Sequence, residues 1–246
     1  MCAFSETRHS LGYAFFPRRC AFCGCVIDPA DTVCGRCAAD VPRVEIPICY
    51  SCGCGKTVCV CAHAQSRFVA ATAAPFYYMG SAETAILRMK FRGEPELSQA
   101  LGDAMAAFAQ TVYDGIAFDV VTFVPMTQKE QKQRGFNQSE LLACRAADRL
   151  GLPCEATLYK LYETRCQRTL RQRQRSGNVL GVFDVCAPDA VRGRRVLLCD
   201  DLRTTGATLH ECAKMLCLHG AREVFCLTAA VTFPKIKQEE NEHENQ

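Results

Sequence analysis

The sequence predicts a parallel α/β sheet preceded by a small cysteine-rich module, and three observations carry this. The runs 119–124 and 196–199 are dominated by apolar residues without polar alternation, as strands buried on both faces are. Helical periodicity separates these runs, and strand, helix, strand, helix is the order of a parallel sheet. Of 19 cysteines, eleven fall before residue 62, most of them in closely spaced pairs.

The cysteine module comes first. Its pairs are Cys20 and Cys23, Cys34 and Cys37, Cys49 and Cys52, and the tighter Cys59 and Cys61. A Cys-x2-Cys turn presents two sulfurs on one side of a knuckle, and two such turns supply the soft ligands of a tetrahedral Zn2+. Cys20, Cys23, Cys34 and Cys37 read as one structural zinc site, with Gly24 and Gly35 where the knuckles need tight turns. Cys49, Cys52, Cys59 and Cys61 read as a second, in which Cys54 or His63 could replace a ligand; Cys25 and Cys54 are surplus to the two sets. Metal here substitutes for a core that about sixty residues cannot build alone. The sharper alternative is a ribbon that also grips nucleic acid or a partner protein, although few basic residues decorate it. The later cysteines are scattered in apolar surroundings, as small buried hydrophobes are. Thiolate chemistry in a reducing compartment fits this cysteine usage better than a disulfide framework.

The expected division is a zinc ribbon at 1–68, an α/β domain at 69–234 and a disordered polar tail at 235–246, rich in Glu and Asn. Residues 69–80 alternate and carry Phe76, Tyr77 and Tyr78, an extended segment leaving the ribbon. Helical spacing follows at 81–89 (Ala85, Ile86, Met89) and at 96–113 (Leu97, Leu101, Met105, Phe108). The strand at 119–124 ends at Pro125, and a helix at 139–150 is stopped by Gly151 and Pro153. Residues 223–231 read as the last core strand.

A net charge of +3, with 49% hydrophobic and 22% charged residues, is that of an ordinary globular protein and does not by itself argue for nucleic acid. No apolar run approaches the ~20 residues that span a bilayer, and Met1 to Ser10 lack the apolar segment of a secretory signal. The expectation is a cytoplasmic protein with no membrane partner.

The richest stretch runs from Val196 to Thr208: four apolar residues, the acids Asp200 and Asp201, then Leu202, Arg203, Thr204, Thr205, Gly206, Ala207 and Thr208. Leu209, Cys212, Ala213, Leu216 and Cys217 then mark one face of a helix, which Gly220 ends. This is strand, tight turn, helix, with two acids at the strand's C-terminal edge. The unpaired N–H groups and positive dipole of a helix start bind phosphate. Gly206 allows the anion a close approach, and the hydroxyls of Thr204, Thr205 and Thr208 add donors. Carboxylates just upstream suit vicinal hydroxyls rather than phosphate. The ligand described is a ribose 5-phosphate, its phosphate in the turn and its 2′- and 3′-hydroxyls on Asp200 and Asp201.

Cations gather elsewhere too. Lys90 and Arg92 flank Phe91 before Gly93; Lys129, Lys132 and Arg134 follow Val124 and Pro125. Arg165, Arg168, Arg171, Arg173 and Arg175 crowd eleven residues without an acid among them. Such a run repels itself unless an anion neutralises it. It reads either as a site for pyrophosphate or a nucleic-acid backbone, or as a solvated charged face.

The 196–208 run resembles the phosphoribosyl-pyrophosphate (PRPP) motif of type I phosphoribosyltransferases, except that Arg203 stands where that family usually carries an apolar or aromatic residue. Over nearly its full length the chain resembles the ComF family of competence-associated proteins. The resemblance rests on the Cys-x2-Cys pairs, Lys90-Phe91-Arg92-Gly93, Val124-Pro125 through Arg134-Gly135-Phe136-Asn137-Gln138, the pattern Gln167, Leu170, Arg175, Asn178-Val179, and the acid–threonine run. It implies a doubly wound parallel sheet of the type I phosphoribosyltransferase kind, with ligand over the C-terminal strand ends. It also implies a role in DNA uptake during natural transformation, alongside a helicase-like ATPase and recombination proteins. As an enzyme, such a protein would bind PRPP with Mg2+. The loop after Val124 would hold pyrophosphate, and Mg2+ with Lys90, Arg92 or Arg134 would stabilise it as the leaving group. Asp200 and Asp201 would help the ribose carry positive charge. As a binding module it would sense the same ligand, or serve as a single-stranded DNA or protein-partner adaptor with a vestigial pocket.

Overall fold

The computed structural model describes residues 17–61, 66–161 and 181–234. The tail 235–246, His63, and the segment carrying Gln167, Arg175 and Asn178 lie outside the described residues. In chain order the elements begin with α1 (Gly35–Asp40), β1 (Ala71–Ala73), β2 (Phe76–Tyr77), α2 (Gly80–Phe91) and α3 (Leu97–Val112). Then come β3 (Val120–Phe123), α4 (Gln128–Arg134), α5 (Gln138–Leu150), β4 (Leu158–Lys160) and β5 (Phe183–Val185). The last three are β6 (Arg195–Arg203), α6 (Ala207–Leu218) and β7 (Glu223–Val231).

The main sheet is parallel throughout. β6 lies between β3 and β7, and β1 and then β2 pair along the far side of β7. Successive strand residues point to opposite faces, and the pleat sorts the apolar runs into two cores. Val121, Phe123, Leu197, Cys199, Phe225 and Leu227 join α3 and α5 on one face. Val120, Val196, Leu198, Val224 and Cys226 join Leu209, Cys212, Ala213 and Leu216 of α6 on the other. A sheet covered on both faces is the doubly wound α/β architecture. Among the described residues no helix is long and apolar enough to cross a membrane.

β6 runs further than the apolar stretch 196–199. Its ladder with β7 continues through Asp200↔Thr228, Leu202↔Ala230 and Arg203↔Val231, so the acids lie inside the strand rather than at its edge. The long apolar partner β7 carries residues of low strand propensity into the sheet.

The cysteine module docks on the β1–β2 edge. Val44 N–H donates to Pro75 O (2.9 Å), Tyr77 N–H to Pro42 O (2.8 Å) and Thr72 N–H to Tyr50 O (2.7 Å). Phe22 meets Phe76 edge-on at 5.3 Å. The buried Arg88 guanidinium donates to Cys20 O and Ala21 O, both at 3.2 Å, and pairs with Glu94. The module and the sheet therefore share one hydrophobic cluster across the expected boundary at residue 68.

Candidate functional site

A cleft of about 350 Å³ opens where β3 and β6 end, lined among others by Lys90, Arg134, Gln138, Ser139, Asp200, Asp201, Thr204 and Thr208. Each wall has a local cause. After β3 the chain turns through Pro125 into α4, which starts with a capping box: Thr127 Oγ1 accepts from Glu130 N–H (3.1 Å) and Glu130 Oε2 from Thr127 N–H (2.8 Å). Gly135, at φ 86°, stops α4. Asn137 caps α5 through Ser139 N–H (3.0 Å) and donates its Nδ2 to Val124 O (3.1 Å), which ties the start of α5 to the end of β3.

The two acids have different partners. Asp200 Oδ1 accepts from Ser139 Oγ at 2.7 Å and from Asp201 N–H at 2.9 Å. Asp201, buried, has Lys90 Nζ at 3.1 Å from the last turn of α2. Burial, then the charge of Asp201, pushes Asp200 up to about 7, against the opposing hydrogen bonds from Ser139 and Asp201 N–H. The carboxyl is densely surrounded, although part of the residue still reaches the cleft. Opposite, Lys160 Nζ bridges both Glu130 oxygens at 3.0 and 3.1 Å. Burial would raise Glu130; the Thr127 N–H and Lys160 outweigh it and hold the carboxyl below its ordinary range.

The 204–208 turn leaves its threonines facing outward, with Thr204 and Thr205 exposed. Thr204 and Thr208 line the cleft, and Thr205 Oγ1 accepts from Ala207 N–H (3.3 Å). Gly206 takes φ 83° as the N-cap of α6, a conformation glycine adopts without steric cost. Lys90 and Arg134 reach the cleft, whereas Arg92 is exposed at the end of α2 and does not line it. Lys129 and Lys132 line a separate recess beside α4.

Gln138 is only 2% exposed; its Oε1 accepts from Arg134 (3.0 Å), while its Nε2 has no hydrogen-bond partner. An unpaired buried donor is costly, and here it lines the cleft, where an acceptor on a ligand would satisfy it. Gln138, Ser139, Lys160 and Glu130 were not singled out from the sequence by role. Thr127 and Glu130 at capping-box spacing would have located α4. No local signal points to Lys160, which arrives from β4 of the antiparallel β4–β5 pair.

The cysteines form two compact groups. The sulfurs of Cys20, Cys23, Cys34 and Cys37, and those of Cys49, Cys52, Cys59 and Cys61, lie within 4.8 Å of one another in each set. The Cys23–Cys34, Cys49–Cys61 and Cys52–Cys59 separations are 3.7, 3.6 and 3.5 Å. A tetrahedron with metal–sulfur bonds of about 2.3 Å has edges of about 3.8 Å, so each donor set fits a metal ion. Cys54 instead points its buried Sγ at Thr232 O (3.9 Å), and Cys25 is exposed.

The fold and site together define a doubly wound α/β protein with an acid pair on β6, a Thr- and Gly-containing turn before α6 and two four-cysteine clusters. No family model matches the chain. It is 26% identical over 200 residues to competence protein ComFC of Bacillus subtilis (strain 168), covering 78% of this chain and 80% of that one. It is 37% identical over 114 residues to the DNA utilization protein YhgH of Escherichia coli (strain K12), covering 44% of this chain and 48% of YhgH. The chain thus spans about half the length of YhgH. Among solved structures, glutamine PRPP amidotransferase from B. subtilis aligns with a TM-score of 0.40 and 24% identity, over 57% of this chain and 30% of that one. The chain is thus similar in sequence to proteins named for competence and for DNA utilization.

Proposed function

We propose that this chain binds PRPP, or a related 5-phosphorylated ribose, together with Mg2+, and acts in DNA uptake as a phosphoribosyltransferase-like ComF protein. One observation carries the reading: Asp200, Asp201, Thr204 and Thr208 line one cleft with Arg134 and with Gln138, whose buried Nε2 has no hydrogen-bond partner. The 5-phosphate sits in the 204–208 turn, against the N–H groups that open α6. The ribose hydroxyls donate to Asp200 and Asp201. Lys90 and Arg134 face the pyrophosphate in the loop after Val124, and Arg175 is assigned to the same anion by the sequence pattern alone.

In transfer, the bond from C1 to pyrophosphate breaks, its electron pair leaves with pyrophosphate, and C1 becomes positive before an acceptor bonds to it. Asp200 and Asp201 stabilise that positive charge, and the cations stabilise the departing oxygen. Mg2+ supplies further neutralisation of the diphosphate. The two cysteine clusters hold Zn2+ as structural ions, the ribbon at 1–68 and the domain at 69–234 act as one unit, and the protein works in the reducing cytoplasm without a membrane partner.

Calorimetric titration of zinc-loaded protein with PRPP and Mg2+, against ribose 5-phosphate, tests the reading. Mg2+-dependent binding that favours PRPP is expected. No detectable binding of either ligand would overturn it in favour of an adaptor with a vestigial pocket. One observation favours that second reading: Phe91 is 68% exposed with the Arg134 guanidinium 5.6 Å over its ring, a platform suited to single-stranded DNA. DNA binding by such a surface would weaken steeply with salt. Helicase-like and recombination partners belong to the DNA-uptake role under either reading.

A further inference from the structure

Arg203 is the residue that departs from the PRPP-motif pattern, and the structure places it between the second cysteine cluster and the 204–208 turn. Its guanidinium donates to Ser51 O at 3.5 Å, inside the Cys49–Cys52 knuckle, and to Thr204 O at 3.4 Å. It also lies close against Gly206: a Cβ there would stand 3.1 Å from Nε and 3.2 Å from Nη2. A second tie runs through the backbone. Thr232 donates to Arg203 O from its N–H (3.0 Å) and its Oγ1 (3.3 Å), and Thr232 O accepts from Cys54 Sγ at 3.9 Å. The knuckle is itself anchored to the sheet edge by Thr72 N–H on Tyr50 O (2.7 Å).

We infer that Arg203 is a positioning residue that couples metal occupancy of the Cys49, Cys52, Cys59 and Cys61 cluster to phosphate occupancy of the 204–208 turn; this rests on the zinc and phosphate readings above. A metal-closed knuckle fixes the Ser51 carbonyl, and that carbonyl holds the guanidinium over Gly206 and the turn. Loss of the metal frees the carbonyl and with it the turn. Coupling between two sites is reciprocal, so phosphate in the turn must also retain the metal. The Cys20 cluster is held by Arg88 instead and serves as an internal control.

The test follows zinc transfer to a chromogenic chelator with and without ribose 5-phosphate, together with calorimetric affinity for that ligand. In the unmodified protein, ribose 5-phosphate is expected to slow one zinc-release phase and leave the other unchanged, and to raise by about 5-fold the chelator concentration that half-empties that one cluster. Arg203→Met is expected to keep its zinc at rest, lose the slowing, and bind ribose 5-phosphate about tenfold more weakly. Arg203→Lys keeps the charge but lacks the planar fork that spans two carbonyls; it should lose the slowing and, like Arg203→Met, bind ribose 5-phosphate more weakly in the zinc-loaded protein, whereas restored affinity would make Arg203 a plain charge contact. The inference is overturned if Arg203→Met weakens the ligand but leaves the slowing intact, which would make Arg203 a plain phosphate contact, or if neither quantity moves. Absence of zinc or of ribose 5-phosphate binding in the unmodified protein registers separately, before any variant is made, and overturns the underlying reading as well.

Discussion

Ser139 Oγ donates a 2.7 Å hydrogen bond to Asp200 Oδ1 from the first turn of α5. This contact ties the start of α5 to β6, and Asn137, two residues earlier, ties it to the end of β3. It stabilises the ionised form of Asp200, yet burial and Asp201 win and the carboxyl sits near 7.

That balance fixes a pH dependence. The folded value lies above the ordinary carboxylate value of 3.8, so between about pH 4 and 7 the folded protein holds a proton that the unfolded chain has released. Stability contributed by Asp200 is full below that window and falls as pH rises through it, by a few kcal/mol at about 1.4 kcal/mol per unit, less what cleft water screens. Asp200→Asn should flatten this slope and melt higher than the parent at pH 7.5. Melting temperatures from pH 5 to 8 check it; parallel slopes in the two proteins would contradict the assignment.

The Gln138 amide separates stability from binding. Its buried Nε2 has no partner, and the relief of that donor offsets the Arg134–Oε1 bond that Gln138→Met, similar in shape, also removes, so the melting point should change little. Loss of one hydrogen bond to a charged ligand, about 1.5 kcal/mol, should weaken PRPP binding roughly tenfold. A variant that melts lower and binds normally would show that the amide is structural.

Lys90 and Asp201 form a pair whose members have separable roles. Lys90→Met leaves the buried Asp201 carboxylate without its 3.1 Å partner, at a cost of about 1–3 kcal/mol. Adding Asp201→Asn should restore most of that stability, because the uncompensated charge is gone. It should not restore ligand affinity, since Asp201 is assigned to the ribose hydroxyls. A double-mutant cycle with denaturation and calorimetry separates the two effects. If Asp201→Asn alone folds and binds PRPP normally, the ribose placement is wrong.

Much of the fold was legible because its strands are apolar on both faces: Val196 to Cys199 and the 223–231 run could not be half-exposed edges. The strand, turn and helix order of 196–218 was equally readable, since Gly206, at φ 83°, opens α6 directly after the strand. What was hidden is polar or short. α4 has no buried residue, so hydrophobic periodicity cannot detect it. β4 and β5 are three residues each, too short for alternation to register. Lys160 consequently reaches the cleft by a tertiary route, and β6 extends past both acids because its neighbour β7 pairs with Asp200, Leu202 and Arg203.

The docked module makes a last prediction about the whole molecule. Phe22, Val41 and Ile48 belong to the same core as Phe76, Ile86 and Met89, and the Arg88 guanidinium ties Cys20 O and Ala21 O to α2. Small modules of this kind depend on metal for stability. Chelation should therefore loosen the covering of the β1–β2 edge and lower the main melting transition. It should not melt a separate small unit. For a domain of about 150–250 residues each kcal/mol lost moves the midpoint by about 2–4 °C, so a deficit of a few kcal/mol gives a shift of roughly 10 °C. Arg88→Met should produce a smaller shift in the same direction, with zinc content reduced at the Cys20 cluster. Calorimetric scans with and without chelator decide the matter: an unmoved main transition with a separate low-temperature step would mean that the ribbon and the sheet fold independently despite their shared core.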